Sequence, residues 1–183
     1  MPIRIDVPAS EFYDESTNGF IPVDPVTLTL EHSLVSVSKW ESKWCKAFLG
    51  KQEKTNEETI DYIRCMTLTQ NVNPMVYEVL ARDRANINKI TNYINSPMTA
   101  TTFRENPNEP KSHEIITSEL IYYWMIALQI PVEFQKWHLN RLLTLIRVCN
   151  IKNKPPKKMT QREILSRNAA LNAARKKQLH TKG

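Results

Sequence analysis

The chain has 183 residues, 41% hydrophobic and 24% charged, the proportions of a folded chain rather than a disordered one. Its length suits one domain with a real core plus an appendage, and 3 glycines beside 11 prolines argue against a turn-rich barrel or a glycine-lined phosphate loop. The net charge of +6 is unevenly placed: Lys152–Gly183 holds ten of the 25 basic residues and one of the 19 acidic ones, so this end carries +9 and the body before it −3.

The three cysteines, Cys45, Cys65 and Cys149, are odd in number and far apart, which suits a reducing cytosol better than a disulfide framework or metal knuckle. The opening MPIRIDVPASEFYDE has no apolar run of export-signal length. The apolar run LIYYWMIAL is far short of the ~20 residues that span a bilayer.

In chain order, IRIDV alternates Ile3, Ile5 and Val7, and VTLTLEH alternates Val26, Leu28 and Leu30, the two-residue period of half-buried strands. Between them Asn18-Gly19 signals a turn, while Pro22 and Pro25 confine these strands to an edge. The expectation is one hairpin, or two short strands laid against helices. Val37, Trp40, Trp44 and Phe48 then recur at three- and four-residue spacing, predicting a helix that Gly50 ends. Thr55 and Glu58 form a capping-box pattern ahead of the stripe Ile60, Ile63 and Met66. Asn73-Pro74 starts another helix, and Ile87, Ile90 and Ile94 line the next until Ser96-Pro97 stops it. RENPNEPKSH, residues 104–113, reads as an exposed loop.

Thr117 or Ser118 caps a helix that is apolar nearly all round from Leu120 to Leu128, a pattern expected to be buried on most sides. Gln129-Ile130-Pro131 breaks it, and a further helix follows from Val132 with Leu139, Leu142, Leu143 and Ile146 as its main stripe. Two apolar helices so closely joined are expected to pack as an antiparallel hairpin. Pro155-Pro156 makes a stiff linker, and Thr160 with Glu163 opens a last helix with few large apolar residues. The fold class is therefore mainly α (α+β): a helical domain over 1–151 with an N-terminal β-hairpin or strand pair, then a basic linker and helical arm over 152–183.

The chemistry-bearing residues do not converge. HExxH, CxxC and GxSxG are absent, and the four histidines lie in different segments. His138 and Cys149, eleven positions apart, stand ~16 Å apart along a straight helix, which excludes contact within it. Glu57, Glu58 and Asp61 sit at a helix start, where acids complement the dipole without catalysis. No catalytic, metal or cofactor-binding residue is assigned, and no cofactor is expected. The four tryptophans suit a core or a partner groove; Trp40 and Trp44, with lysines and a glutamate interleaved, are the pair expected to be partly exposed. The arm, with Lys154, Lys157, Lys158, Arg162, Arg167, Arg175, Lys176 and Lys177, contains no aromatic residue. That weighs against single-strand or sequence-specific nucleic-acid binding and leaves phosphate contact open.

Three blocks, LEHSLVSVSKWESKWCKAFLG, SELIYYWMIALQIPVEFQKWHLNRLLTLIRVC and KNKPPKKMTQREILSRNAALNAARKKQLHTKG, together resemble a family of tail assembly chaperones of long-tailed bacteriophages. The resemblance implies a non-enzymatic protein of the host cell cytoplasm. It would hold the phage tape-measure protein soluble and help tail-tube subunits assemble around it. The expected client contacts are helix-in-groove, through Trp40, Trp44 and Phe48, with Lys157, Lys158, Arg162, Arg167, Arg175, Lys176 and Lys177 in support. A virion structural or connector protein, or a nonspecific nucleic-acid-binding protein using the arm, are the alternatives; membrane association is not expected.

Overall fold

A computed structural model of the chain describes residues 2–15, 18–103, 114–153 and 160–179. The loop expected over 104–113, the prolines Pro155 and Pro156, and Lys154, Lys157 and Lys158 lie outside the described residues. The fold is mainly α with a small β element, and the chain divides into two compact units, 1–150 and 151–183.

The β element is a ribbon broken by proline. β1 (Ile3–Val7) pairs antiparallel with β4 (Val26–Leu30), and β2 (Ser10–Asp14) pairs with β3 (Gly19–Val23). Val7 faces Val26 and Ser10 faces Val23, so the positions of every pair sum to 33 in both ladders. In that frame Pro8 falls opposite Pro25. Neither has an N–H to donate, so the ladder stops between the two sheets although the register does not. The inward face also changes phase there. Ile5, Val7 and Leu28 are buried before the prolines; beyond them Phe12 and Val23 turn inward while Tyr13 and Phe20 are exposed. Asn18 takes the left-handed conformation in the turn (φ 50°), which asparagine tolerates.

The far side of β4 is covered by the chain around Met66 and Leu68. Glu31 N–H donates to the Met66 carbonyl at 2.9 Å and Leu68 N–H to the Thr29 carbonyl at 2.8 Å. Thus a buried strand edge finds its partners outside the ribbon.

α1 (Leu34–Trp44) is capped by Ser33 in a reciprocal box with Ser36. It stops six residues before the Gly50 expected to end it. Cys45 adopts the left-handed conformation (φ 53°) and gives its N–H to the Glu41 carbonyl at 2.8 Å, which closes the last turn and sends the chain back over itself. Phe48 therefore belongs to a loop, not to the helix. α2 (Asn56–Met66) opens with the capping box of Thr55 and Glu58. Thr55→Ala is expected to cost about 1 kcal/mol, read as a melting temperature lower by ~2–4 °C; an unchanged thermal melt would show that the cap contributes nothing. α3 (Met75–Arg82) follows Pro74, with the Asn73 side chain accepting the Met75 N–H at 2.9 Å. α4 (Arg84–Asn95) is capped by Asp83 and contributes Ile90 and Tyr93 to the core.

α5 (Ser118–Ala127), capped by Thr117, differs from expectation in burial. Ile121 and Met125 enter the core, but Tyr123 and Ile126 are exposed. The helix rests one side against α1 rather than lying in the middle of the domain. The chain after Pro131 also departs from the expected helix. Val132–Lys136 is a 3-10 turn, and α6 (Leu139–Asn153) begins only after His138. The cause is tertiary: His138 bridges to Ser33, and the Leu139 N–H is taken by the His32 carbonyl at 2.8 Å. The 3-10 turn packs on α1, and α5 and α6 do not form the close antiparallel hairpin their spacing suggests. Leu139, Leu142 and Ile146 do form the buried stripe of α6. α7 (Gln161–Leu179) has a box between Thr160 and Glu163 and no buried residue.

Candidate functional site

The most concentrated polar chemistry lies inside the first unit. His32, at the joint between β4 and α1, and His138, at the joint before α6, meet edge to face with ring centroids 4.9 Å apart. The Tyr62 hydroxyl bonds His32 Nδ1 and stands 3.3 Å from Ser36 Oγ. Tyr93 lies edge-on to His138 at 5.0 Å, and its hydroxyl donates to Glu31 Oε1 at 2.6 Å. His138 Nε2 is 3.0 Å from the Tyr93 carbonyl, an acceptor only, so this nitrogen carries the proton; His138 Nδ1 is buried with no hydrogen-bond partner among the described residues.

Burial decides the ionisation of this group. It pushes His32 down to about 3, with the neighbouring His138 acting in the same direction. Burial likewise lowers His138, partly offset by its bond to the Tyr93 carbonyl and by Glu31. Both tyrosines are raised, first by burial, and Tyr93 also by its bond to Glu31. At neutral pH the cluster is thus a pair of uncharged imidazoles between two uncharged phenols. Cys149 is not among the groups around His138. A cleft of about 350 Å³ adjoins the cluster, lined by His32, Phe48, Lys54, Tyr62, Asn95 and Asn140 among others. The Lys54 ammonium does not point free into it, for it donates to the Phe48 carbonyl at 2.8 Å and lies 4.3 Å from the Phe48 ring centre.

The tryptophans expected to meet a partner are engaged in the seam between α1 and α2. Trp40 is 1% exposed and its indole N–H donates to the Glu58 carbonyl at 2.8 Å; Phe48 is also buried, 4.0 Å from the Tyr62 ring. This corrects the expectation of a groove built on Trp40 and Phe48: the reversal at Cys45 tucks Phe48 under the helix and closes over Trp40. Trp44 is half-buried and donates to Asp61 Oδ2 at 2.9 Å. Acids of α2 answer two lysines, Lys43 on α1 pairing with Asp61 and Lys46 in the loop after it pairing with Glu58. The Lys46 hydrogen bond, then the Thr55 amide, hold the Glu58 carboxyl below its ordinary range. Burial opposes the charge on Asp61, but the bonds from Lys43 and Trp44 outweigh it and keep its carboxyl low. These are structural pairs across one helix interface.

The outward apolar surface lies elsewhere. Tyr123 is 64% exposed, Ile126 78% and, in the 3-10 turn, Val132 58%. Three- and seven-residue steps on α5 put Glu119, Tyr123 and Ile126 on one side, opposite buried Ile121 and Met125. Beyond Glu119 in the first turn both sides are apolar, so the periodicity from Leu120 to Leu128 does not distinguish them. A second exposed pair, Tyr13 and Phe20, stands edge to face at 5.4 Å near the ribbon tip. Of the arm residues expected to bind a partner, Arg162, Arg167, Arg175, Lys176 and Lys177 lie on α7, whose residues are all exposed. Lys157 and Lys158 lie outside the described residues.

Among the described residues no helix is long and apolar enough to cross a membrane. In comparisons with known proteins, no family model, no curated sequence and no solved structure matches this chain.

Proposed function

We propose that the protein is a non-enzymatic assembly factor of the host cytoplasm, a phage tail assembly chaperone that holds the tape-measure protein until tail subunits enclose it. The observation that carries this reading is the apolar face of α5 and its following turn. Tyr123, Ile126 and Val132 remain in water although Ile121 and Met125 on the same helix are in the core. An amphipathic client helix can bury its own stripe against such a surface. The same segment, SELIYYWMIALQIP, lies within the block that carries the family resemblance. With Trp40 and Phe48 enclosed, the client contact moves from the α1 face to α5, and half-buried Trp44 is the tryptophan of the predicted set left with partial access.

A tagged protein expressed during infection should recover the tape-measure protein, identified by mass spectrometry. The double variant Tyr123→Asp, Ile126→Asp should recover at least tenfold less while melting within ~2 °C of wild type, since both side chains are already exposed. Recovery of no tape-measure protein by the wild-type chain, or equal recovery by the variant, would overturn the reading. So would stoichiometric retention of the protein in washed virions, which a departing chaperone does not show.

A further inference from the structure

We propose that α7 is a binding element for double-stranded nucleic acid, seated in the major groove with a phosphate rail on either flank. This inference stands apart from the chaperone reading, because it uses neither α5 nor the protein client.

The first observation is where the charge sits. Arg162, Arg167, Arg175, Lys176 and Lys177 share the helix with a single acid, Glu163, and that acid is bound to the Thr160 amide and hydroxyl at 2.7 and 2.9 Å. At ~100° per residue, no gap between successive cations round the axis exceeds about 100°. The cations therefore encircle the helix. The large apolar residues Ile164, Leu165, Leu171 and Leu179 are all exposed and lie within about 120° of one another, but Asn168, Asn172 and Arg175 interrupt that arc.

This distribution separates the occupants. An apolar groove or a bilayer surface takes a helix with a continuous apolar face, whereas that of α7 is broken by Asn168, Asn172 and Arg175. A flat acidic protein surface meets cations on one side and leaves the opposite ones in water. A single strand binds by base stacking on aromatic side chains, and α7 has none. The major groove of a duplex, ~12 Å wide, admits one α-helix and presents phosphates on both sides of it. α7 also fits in dimension. Its 19 residues extend ~28 Å, and Ala169, Ala170, Ala173 and Ala174 keep its middle slim.

The test uses the full chain and fluorescence anisotropy with a labelled 24-base-pair DNA duplex, one strand of that duplex alone, and poly-L-glutamate as competitor. The duplex should bind at least tenfold more tightly than the strand. Its log affinity should fall with log salt at a slope of roughly −4 to −5, one phosphate for each cation. Neutralising Arg162, Arg167, Arg175, Lys176 and Lys177 to Gln should weaken binding at least thirtyfold. The double variant Ala170→Pro, Ala173→Pro keeps every charge but breaks the helix, and should erase the preference for duplex over strand. Three results each overturn the proposal: equal affinity for duplex and strand, displacement by poly-glutamate at equal charge concentration, or duplex binding by the proline variant as tight as wild type. The first and third would make the arm a flexible polycation, and the second would assign it to an acidic protein.

Discussion

Replacing Glu41 by alanine is expected to destabilise the 1–150 unit by about 2–6 kcal/mol. Glu41 lies on α1, yet its carboxylate serves two other parts of the chain. One oxygen accepts the Phe48 N–H at 2.7 Å and the other the Ser118 N–H at 2.7 Å, seven and 77 positions away. The first bond holds the reversal after Cys45. The second satisfies an amide at the start of α5, one of the donors that an α-helix leaves without an internal partner, and puts a carboxylate where the helix dipole favours negative charge. All three groups are buried. Alanine therefore strands two amides out of reach of water at ~1–3 kcal/mol each. For a unit of this size that is a fall in melting temperature on the order of 10 °C. Glu41→Gln keeps a single acceptor oxygen and should fall between the two. The α5 face depends on the same anchor, so Glu41→Ala should also weaken the client capture proposed for it. A melt of Glu41→Ala within 2 °C of wild type would remove Glu41 from this role.

Acid should destabilise the protein well above the range in which its carboxylates titrate. His32 is held at about 3 in the folded chain, below an ordinary histidine value of ~6.5 when unfolded. The unfolded chain then binds more protons than the folded one between these values, so stability is full above pH ~6.5 and declines as pH falls towards 3. The slope for one such group is ~1.4 kcal/mol per pH unit, or ~2 kcal/mol lost by pH 5. His138 is shifted in the same direction and adds to the loss. Glu58 and Asp61 are also lowered, but as acids their contribution is intact above pH ~4.5 and disappears only below it. The interval from pH 6.5 to 5 therefore belongs to the imidazoles. Urea unfolding at pH 7.5, 6 and 5 should show the decline, and His32→Phe should flatten it whatever it does to stability at pH 7.5. An undiminished slope in that variant would place the titrating group elsewhere.

Much of the architecture was legible along the chain because it rests on local rules. The alternation in IRIDV and VTLTL, the box of Thr55 and Glu58, the Asn73-Pro74 start and the stripe of Leu139, Leu142 and Ile146 each involve residues a few positions apart, and each occurs in the structure. The errors share a different character. α1 ends at Trp44 because Glu41 reaches Phe48 and Ser118; α6 starts late because His32 takes the Leu139 amide. α5 shows one apolar side to solvent because only one side meets α1. The polar cluster has no local signature for the same reason: Glu31, His32, Tyr62, Tyr93 and His138 come from segments with no shared motif.

Sequence alone determined the order of ribbon then helices, the capping box that opens α2 and how charge divides between body and arm, since propensity, periodicity and net charge act within a few residues. Tertiary structure alone decided which apolar residues are hidden. Burial is a property of what lies across from a side chain, so Trp40 and Ile126, alike in hydrophobic character, end in the core and in water respectively.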